Sequence, residues 1–132
     1  MIIEAALRGY LLASPGIASM VDDRVYANRM PPDGGFPAIT FQRISTLSQE
    51  SLSGASGLER VRFQIDAWAK GYAAAINLAE QVRLSIQGFR GIMGAVTVHG
   101  VMMLNRNDQY EDDTDLHRNS MDFALWHQQT KP

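Results

Sequence analysis

The amino-acid sequence predicts an α+β fold, in which a mainly antiparallel sheet of about four to five strands carries two helices packed on one face. From Leu58 to Lys70 apolar and polar residues alternate, which is the period of a strand with one buried face. Directly afterwards, from Tyr72 to Phe89, apolar residues recur every three or four positions, as in an amphipathic helix. The other predicted strands are joined by short or polar links, and such strands tend to pair antiparallel.

Two helical segments and a short strand are predicted at the start of the chain. Apolar residues at helical spacing indicate a helix over residues 2–13, which Ser14-Pro15-Gly16 ends because proline lacks a backbone donor. Ile17–Val21 is interpreted as one further helical turn and Arg24–Asn28 as a short strand. The helix over residues 2–13 is therefore the first of the two helices expected to pack on the sheet.

A loop, a strand and a serine-rich segment are predicted before the central strand. Met30–Pro37 holds three prolines and two glycines, which indicates a loop. Ala38–Ile44 is rich in β-forming residues and predicts a strand. The thirteen residues 45–57 include five serines and two glycines and show no period, and a stretch of this kind between two strands is typically functional or disordered. We therefore expect a mobile loop at residues 46–57.

Two strands separated by an acidic segment are predicted after the long helix. Val96–Leu104 alternates, with a bulge at Gly100, and His117–Trp126 alternates as well. Residues 105–115 are polar and acidic and are expected to form a second mobile loop, and residues 128–132 a frayed tail. The residues predicted to face inward from these two strands are Val96, Val98, Met102, Leu104, Met121, Phe123 and Leu125.

Length and composition predict one domain over residues 1–132 and exclude several classes of protein. Hydrophobic residues make up 45% and charged residues 20%, as in ordinary soluble proteins. The formal net charge of -2 argues against a protein that coats nucleic acid. Without cysteine, disulfides, thiolate catalysis and Cys-based zinc sites are excluded. No secretory signal and no apolar run of ~20 residues is found, so we expect a soluble protein made in the cytosol.

Three segments and the histidines resemble parts of chemical motifs but lack the spacing that the chemistry requires. Gly54–Gly57 lacks the G-x-S-x-G pattern of a nucleophile turn and is interpreted as a flexible loop. Gly88–Gly94 follows a helix and lacks a Gly-Lys-Ser/Thr ending, so it does not predict a phosphate-binding loop. Glu111–Asp115 lacks the central Gly and terminal Glu of a calcium loop. The histidines, at 99, 117 and 127, are scattered over strand positions. The sequence therefore predicts no enzyme, no catalytic residue, no metal and no cofactor.

The two tryptophans lie on the strand faces opposite the predicted core. Trp68 is opposite Val61, Phe63 and Ile65 in the central strand, and Trp126 holds the same position in the last strand. Two interpretations stay open: packing beneath a loop, or anchoring of a subunit contact, in which tryptophan is common. Charged residues that share these faces are predicted to form ion pairs across the sheet or between subunits, namely Arg60, Arg62, Asp66, Arg118 and Asp122.

Several segments together resemble a known protein family. They are Ile3–Leu12, Phe36–Ser45, Ser51–Leu58, Arg62–Ala69 and Asp115–His127. In this order they resemble the tail completion proteins of long-tailed bacteriophages, also called head–tail joining or tail terminator proteins. The similarity covers nearly the whole chain and rests on the conjunction of segments, since none of them is a catalytic signature.

The resemblance implies a structural virion protein that assembles as a ring, usually a hexamer, at the head-proximal end of the tail. Such a ring stops polymerisation of the tail tube and joins the tail to the head connector or stopper protein. Double-stranded DNA passes through its lumen without specific binding, no membrane is involved, and assembly takes place in the host cytoplasm. The alternatives are another phage neck or tail-tube-like connector subunit, or a small ligand-binding domain.

Within this picture the subunit contacts are expected at the two predicted loops and at the tryptophans. The loop 46–57 would contact the tail tube or a neighbouring subunit, and the loop 105–115 a subunit or a connector ring. Edge strands would pair or pack between subunits. The predicted interface residues are Ser48, Gln49, Glu50, Ser51, Leu52, Trp68, Tyr110, Glu111, Asp112 and Trp126.

Overall fold

Three helices and six strands are present in the part of the chain that the structure describes. The structure is a computed structural model that describes the backbone of residues 1–51 and 54–128, and the side chains of residues 1–47 and 57–128. The helices are α1 (Ile3–Leu12), α2 (Pro15–Val21) and α3 (Tyr72–Ile86). The strands are β1 (Val25–Ala27), β2 (Ala38–Ser51), β3 (Gly54–Ala69), β4 (Gly91–Met93), β5 (Val96–Glu111) and β6 (Leu116–Gln128).

The strands form one sheet in the order β1-β2-β3-β6-β5-β4. The short β1 runs parallel to β2, and all other neighbours are antiparallel. The predicted α+β class and the mainly antiparallel sheet are confirmed. The predicted numbers of strands and helices are too low, because β4 has only three residues, too few to show a period, and α2 is a full helix where one turn was expected.

The hydrophobic core lies between the helices and one face of the sheet, which we call the helix face. Side chains from α1 and α3 share one buried cluster with the inward residues of the central strands. The predicted inward positions of β3 and β6 are confirmed, since these side chains are buried: Val61, Phe63, Ile65, Ala67, Ala69, Met121, Phe123 and Leu125. None of the described helices is long and apolar enough to cross a membrane.

The predicted loop at residues 46–57 is wrong, because most of this segment belongs to a long hairpin. Strand β2 extends to Ser51, and β3 begins at Gly54, with Gln49 paired to Leu58 in register. Backbone hydrogen bonds stabilise such a hairpin whatever its side chains are. A polar, serine-rich strand can therefore form without the hydrophobic period by which strands are predicted. Leu52 and its neighbour at 53 lie outside the described residues.

The predicted loop at residues 105–115 is wrong over residues 105–111, for the same reason. Strand β5 runs on to Glu111, the turn spans residues 112–115, and β6 begins at Leu116. Of the predicted frayed tail, Gln128 is the last residue of β6, and residues 129–132 lie outside the described part of the chain.

A bulge in β5 changes which of its residues face the core. The pairing register with β6 shifts between Val98 and Gly100, where the sequence predicts a bulge. One extra residue turns the following side chains to the other face, until a second register shift between Met103 and Asn105 reverses the pattern. Val101 is therefore buried, whereas Met102 and Leu104, which were predicted to face inward, are 49% and 40% exposed. The inward assignment holds for the residues before the bulge and fails after it.

Candidate functional site

One long edge of the sheet is the outer side of β2. Strand β1 pairs only with Ile39–Phe41, and the amide of Asn28 donates to the carbonyl of Phe41 at 2.8 Å. From Gln42 to Ser51, no strand among the described residues pairs with this side of β2. We call this stretch the β2 edge. Its backbone donors and acceptors are available to another chain, which is how exposed strand edges associate.

A second long edge is the outer side of β5. Strand β4 pairs only with Val96–Val98, and the amide of Gly88 donates to the carbonyl of Val101 at 2.9 Å. Beyond that point, within the residues described, no strand covers Met102–Glu111 on this side. We call this stretch the β5 edge. It has the same length as the β2 edge and lies towards the other end of the strand order.

The sheet face opposite the helices carries an ordered layer of polar side chains around Trp68. We call it the outer face; it includes Thr40, Gln42, Arg60, Arg62, Gln64, Asp66, Trp68, Arg118, Ser120, Asp122, Ala124 and Trp126. The indole Nε1 of Trp68 donates to the Thr40 hydroxyl at 2.9 Å, and the Arg118 guanidinium lies 5.0 Å from the indole centre. Trp68 is only 9% exposed, which favours the packing interpretation for this residue.

The buried carboxylate of Asp66 belongs to the same layer. Burial raises its pKa, although hydrogen bonds from Ser120 and Gln64 and the charge of Arg118 act in the opposite direction. Arg118 approaches it to 3.7 Å, and Arg62 contacts Asp122 at 2.7 Å. The predicted ion pairs across the sheet are therefore confirmed for these two pairs.

Trp126 lies at the other end of the outer face and is half-buried. Arg60 stacks on it, with the guanidinium carbon 5.5 Å from the ring centre. Two exposed apolar side chains lie nearby: Leu47 of β2 pairs with Arg60, and Met102 of β5 pairs with Ala124, two positions from Trp126. Trp126 pairs with Arg60, which lies eight positions from Trp68 along β3, so the structure does not bring the tryptophans together.

The end of the β5–β6 hairpin brings Tyr110 and Asp115 of the predicted loop together with His117 of the last strand. Tyr110 and Glu111 end β5, and Asp112 begins the turn. The Tyr110 hydroxyl donates to Asp115, and its ring lies 4.8 Å from that of His117. Ser48–Ser51, by contrast, lie at the far end of the β2–β3 hairpin.

A cavity of about 280 Å³ opens beside this hairpin end and was missed by sequence reasoning. Its walls include Tyr72 and Ala75 of α3, Asp108 of β5 and Asn119 of β6. These residues come from three elements that are distant in the sequence, so no motif or spacing could reveal them. Among the described residues, no group of three His, Asp or Glu side chains could hold a metal ion.

Charged side chains tie α3 to the sheet next to this cavity. Glu80 accepts hydrogen bonds from Arg83 on α3 and from Arg106 on β5, and Arg106 also donates to Asn119 at 2.8 Å. These hydrogen bonds, that from Arg83 first, lower the pKa of Glu80 to about 2. The folded state therefore holds this group as a carboxylate over a wider pH range than the unfolded chain, whose value is near 4.5.

We expect the stabilisation by Glu80 to depend on pH. A lowered pKa in the folded state stabilises the fold above pH 4.5, and this contribution is lost as the pH falls towards 2. Glu80→Gln should lower the free energy of unfolding at pH 7 by less than about 1 kcal/mol, since the pair is partly exposed and screened. Urea unfolding of both proteins between pH 2 and 7 should show the difference shrinking to zero. A difference that stays constant down to pH 2 would contradict the assignment.

The sequence and the fold of the chain both resemble those of known proteins. A family model described as "Tail completion protein gp17" matches residues 5–128. In the solved structure of the virion of a native gene transfer agent particle, one chain has a TM-score of 0.80 and 19% sequence identity, over 96% of this chain and 94% of that chain. Another solved chain has a TM-score of 0.53 and 13% identity over 98% of this chain and 97% of that chain. No curated protein sequence matches this chain.

Proposed function

Because the chain belongs to the tail completion protein gp17 family, whose members are structural phage tail proteins and not enzymes, we propose that it forms a ring at the head-proximal end of a phage tail. The ring, most simply of six copies, terminates polymerisation of the tail tube and joins the tail to the head connector or stopper protein. DNA passes through its lumen. The fold shared with a chain of a gene transfer agent virion supports a place in the virion, at the tail or neck.

The observation that carries this proposal is the pair of uncovered strand edges on opposite sides of one sheet. Three antiparallel steps, β2 to β3, β3 to β6 and β6 to β5, make β5 antiparallel to β2. Rotation about an axis along the strands keeps the direction of each strand. The β5 edge of one copy then meets the β2 edge of the next in antiparallel orientation, which allows a regular ladder.

Such a contact is heterologous, since two different surfaces of one subunit meet. A heterologous contact repeats from copy to copy and produces a ring when the rotation closes. The two edges are offset along the sheet, because Thr46 aligns with Val101 through Val61 and Leu125, before the β5 edge begins. Strands tilted to the ring axis compensate for this offset, as they do in closed barrels.

In this ring we assign the outer face to the lumen. It is the sheet face that the helices leave uncovered, and its charges are largely paired, as between Arg62 and Asp122. Paired charges and a mildly acidic chain attract DNA phosphates weakly, which suits a passage rather than a binding site.

The predicted interface residues take different places in this arrangement. Ser48–Ser51 lie on the β2 edge, and Tyr110 and Glu111 on the β5 edge, so these residues would lie at subunit contacts. Trp126 is half-buried and leaves part of its ring for a partner, whereas Trp68 is almost fully covered within its own subunit. Asp112 lies in the turn after β5, where it faces a neighbour or the connector.

Engineered disulfides test the pairing of the two edges. The chain has no cysteine, so every disulfide must join introduced residues. We would combine Ser45→Cys with Asn105→Cys, Asn107→Cys or Gln109→Cys, one at a time, because their pairing places all of these side chains on the outer face. Two strands separate β2 from β5, about 14 Å in total, so a disulfide within one chain is too long. Oxidised particles should yield a ladder of linked chains that ends at the ring number.

The single-cysteine variants are the matched controls, since each can link two chains at most. If none of the three double variants in intact particles forms species larger than a dimer, the pairing of these edges is wrong. If the protein is missing from joined particles altogether, the proposed function itself is wrong.

A further inference from the structure

The cavity beside the β5–β6 hairpin end has an aromatic wall. The ring of His117 lies between two tyrosine rings, 5.7 Å from Tyr72 and 4.8 Å from Tyr110. The two tyrosines are 54% and 50% exposed, so their faces are accessible from the cavity mouth. Its volume of about 280 Å³ lies below the range of drug-sized ligand sites and is suited to one side chain.

Hydrogen bonds leave Tyr72, Tyr110 and Asp108 as acceptors at this cavity. The Tyr72 hydroxyl donates its proton to Asp108 at 2.9 Å, and the Tyr110 hydroxyl donates to Asp115. Asn119 also donates to Asp108. Both phenol oxygens and the Asp108 carboxylate keep lone pairs that can accept further hydrogen bonds. A ligand that fits this pattern donates hydrogen bonds.

Carboxylates lie beside both tyrosines of the cavity, and the charge of Arg106, which acts in the opposite direction on the pKa of Tyr72, is paired with Glu80. The hydrogen bond to Asp108, and then its charge, raise the pKa of Tyr72, and Asp115 together with Asp112 acts in the same way on Tyr110. One cation, Arg118, also lines the cavity. Its guanidinium lies over Trp68 on the outer face and within 3.7 Å of Asp66, so its charge is compensated there.

We propose that this cavity binds an arginine side chain presented by a partner protein. A guanidinium combines a planar face, which stacks on aromatic rings, with a fork of donors that matches a carboxylate. Tyr72, Tyr110 and His117 supply the rings, and Asp108 supplies the carboxylate. The site goes beyond the proposed ring contacts and does not depend on them, because the rings and the carboxylate that form it belong to one chain.

Two small probes test the proposal on the purified protein. N-acetyl-arginine amide carries the guanidinium, and N-acetyl-citrulline amide is a neutral molecule of nearly the same shape. In proton–nitrogen NMR spectra, the arginine probe should produce saturable shifts of the amides of Tyr72, Tyr110 and His117. We expect dissociation constants on the order of millimolar for the arginine probe and about tenfold higher for citrulline, which is the effect of a cation on aromatic faces.

Variants separate this site from a general attraction to acidic residues. Tyr110→Leu and Asp108→Asn should each weaken the arginine probe about tenfold, while Tyr110→Phe, which keeps the ring, should retain most of the binding. Asp23→Asn removes a carboxylate next to β1, at the opposite edge of the sheet, and should change nothing. Thermal unfolding of each variant confirms that it is folded.

Four results would overturn the proposal. Equal binding of the citrulline and arginine probes would show that the positive charge has no role. Equal weakening by Asp23→Asn, or shifts that do not saturate, would mean diffuse attraction in place of a site. Tighter binding of N-acetyl-lysine amide than of the arginine probe would overturn the assignment to arginine.

Discussion

Replacing residues 50–57 with an Asn-Gly turn is expected to leave a folded monomer that no longer joins tails to heads. Gln49 and Leu58 are paired in register, and a two-residue turn of this type closes an antiparallel hairpin at such a pair. The shortened hairpin keeps the register of the rest of β2 and β3. It loses the far end of the β2 edge, on which the proposed contact with the next copy or with the tail tube depends.

The loss of head–tail joining is measured on assembled particles, and the fold on the purified protein. Circular dichroism and thermal unfolding should show a fold close to that of the unchanged protein, while electron microscopy should show separate heads and tails, as in a mutant that lacks the protein. Leu84→Gln is the matched control, because it changes an exposed side chain of α3 away from both sheet edges. Normal joining by a folded, shortened protein would show that the far end of the hairpin has no role in assembly.

Phe63→Ala is expected to have the largest effect on stability. Phe63 is fully buried at the centre of β3, between β2 and β6, and its ring lies 6.3 Å from that of Phe41. Deleting a buried ring removes its transfer free energy and leaves a cavity, which together cost about 3–5 kcal/mol. Domains of this size are stable by about 5–15 kcal/mol, so the variant should be close to unfolding at 37 °C.

Urea unfolding measures the loss directly, as a fall in the midpoint with an unchanged slope. Thr97→Ala on β5 is a suitable control, because Thr97 is exposed and such surface changes usually stay within about 0.5 kcal/mol. A loss below about 1 kcal/mol for Phe63→Ala would mean that the helices and the sheet do not pack as described.

The sequence predicts well which side of a helix or strand is buried. The alternation around Phe63 and the helical spacing after Tyr72 predict β3 and α3 correctly, because each buried side chain must be apolar where the backbone turns it inward. The same logic predicts the inward residues of β6. A bulge at Gly100 is also predicted, since glycine within an alternating strand often marks one.

The consequences of that bulge are less accessible from the sequence. Met102 and Leu104 continue the apolar alternation of Val96 and Val98, but the register shift turns them away from the core. Whether an extra residue is accommodated before or after a given position depends on the partner strand. Only the pairing with β6 decides which apolar residues are buried and which are exposed.

The sequence by itself determined the fold class, the central strand and helix, the core residues and the family resemblance, because all of these are properties of side-chain type and order. The tertiary structure decided how far β2 and β5 extend, which sheet edges stay uncovered, and which residues surround the cavity at the β5–β6 hairpin. Backbone hydrogen bonds extend polar strands without any requirement on their side chains. Contacts between α3, β5 and β6 depend on how the elements pack in space, which no local pattern of residues specifies.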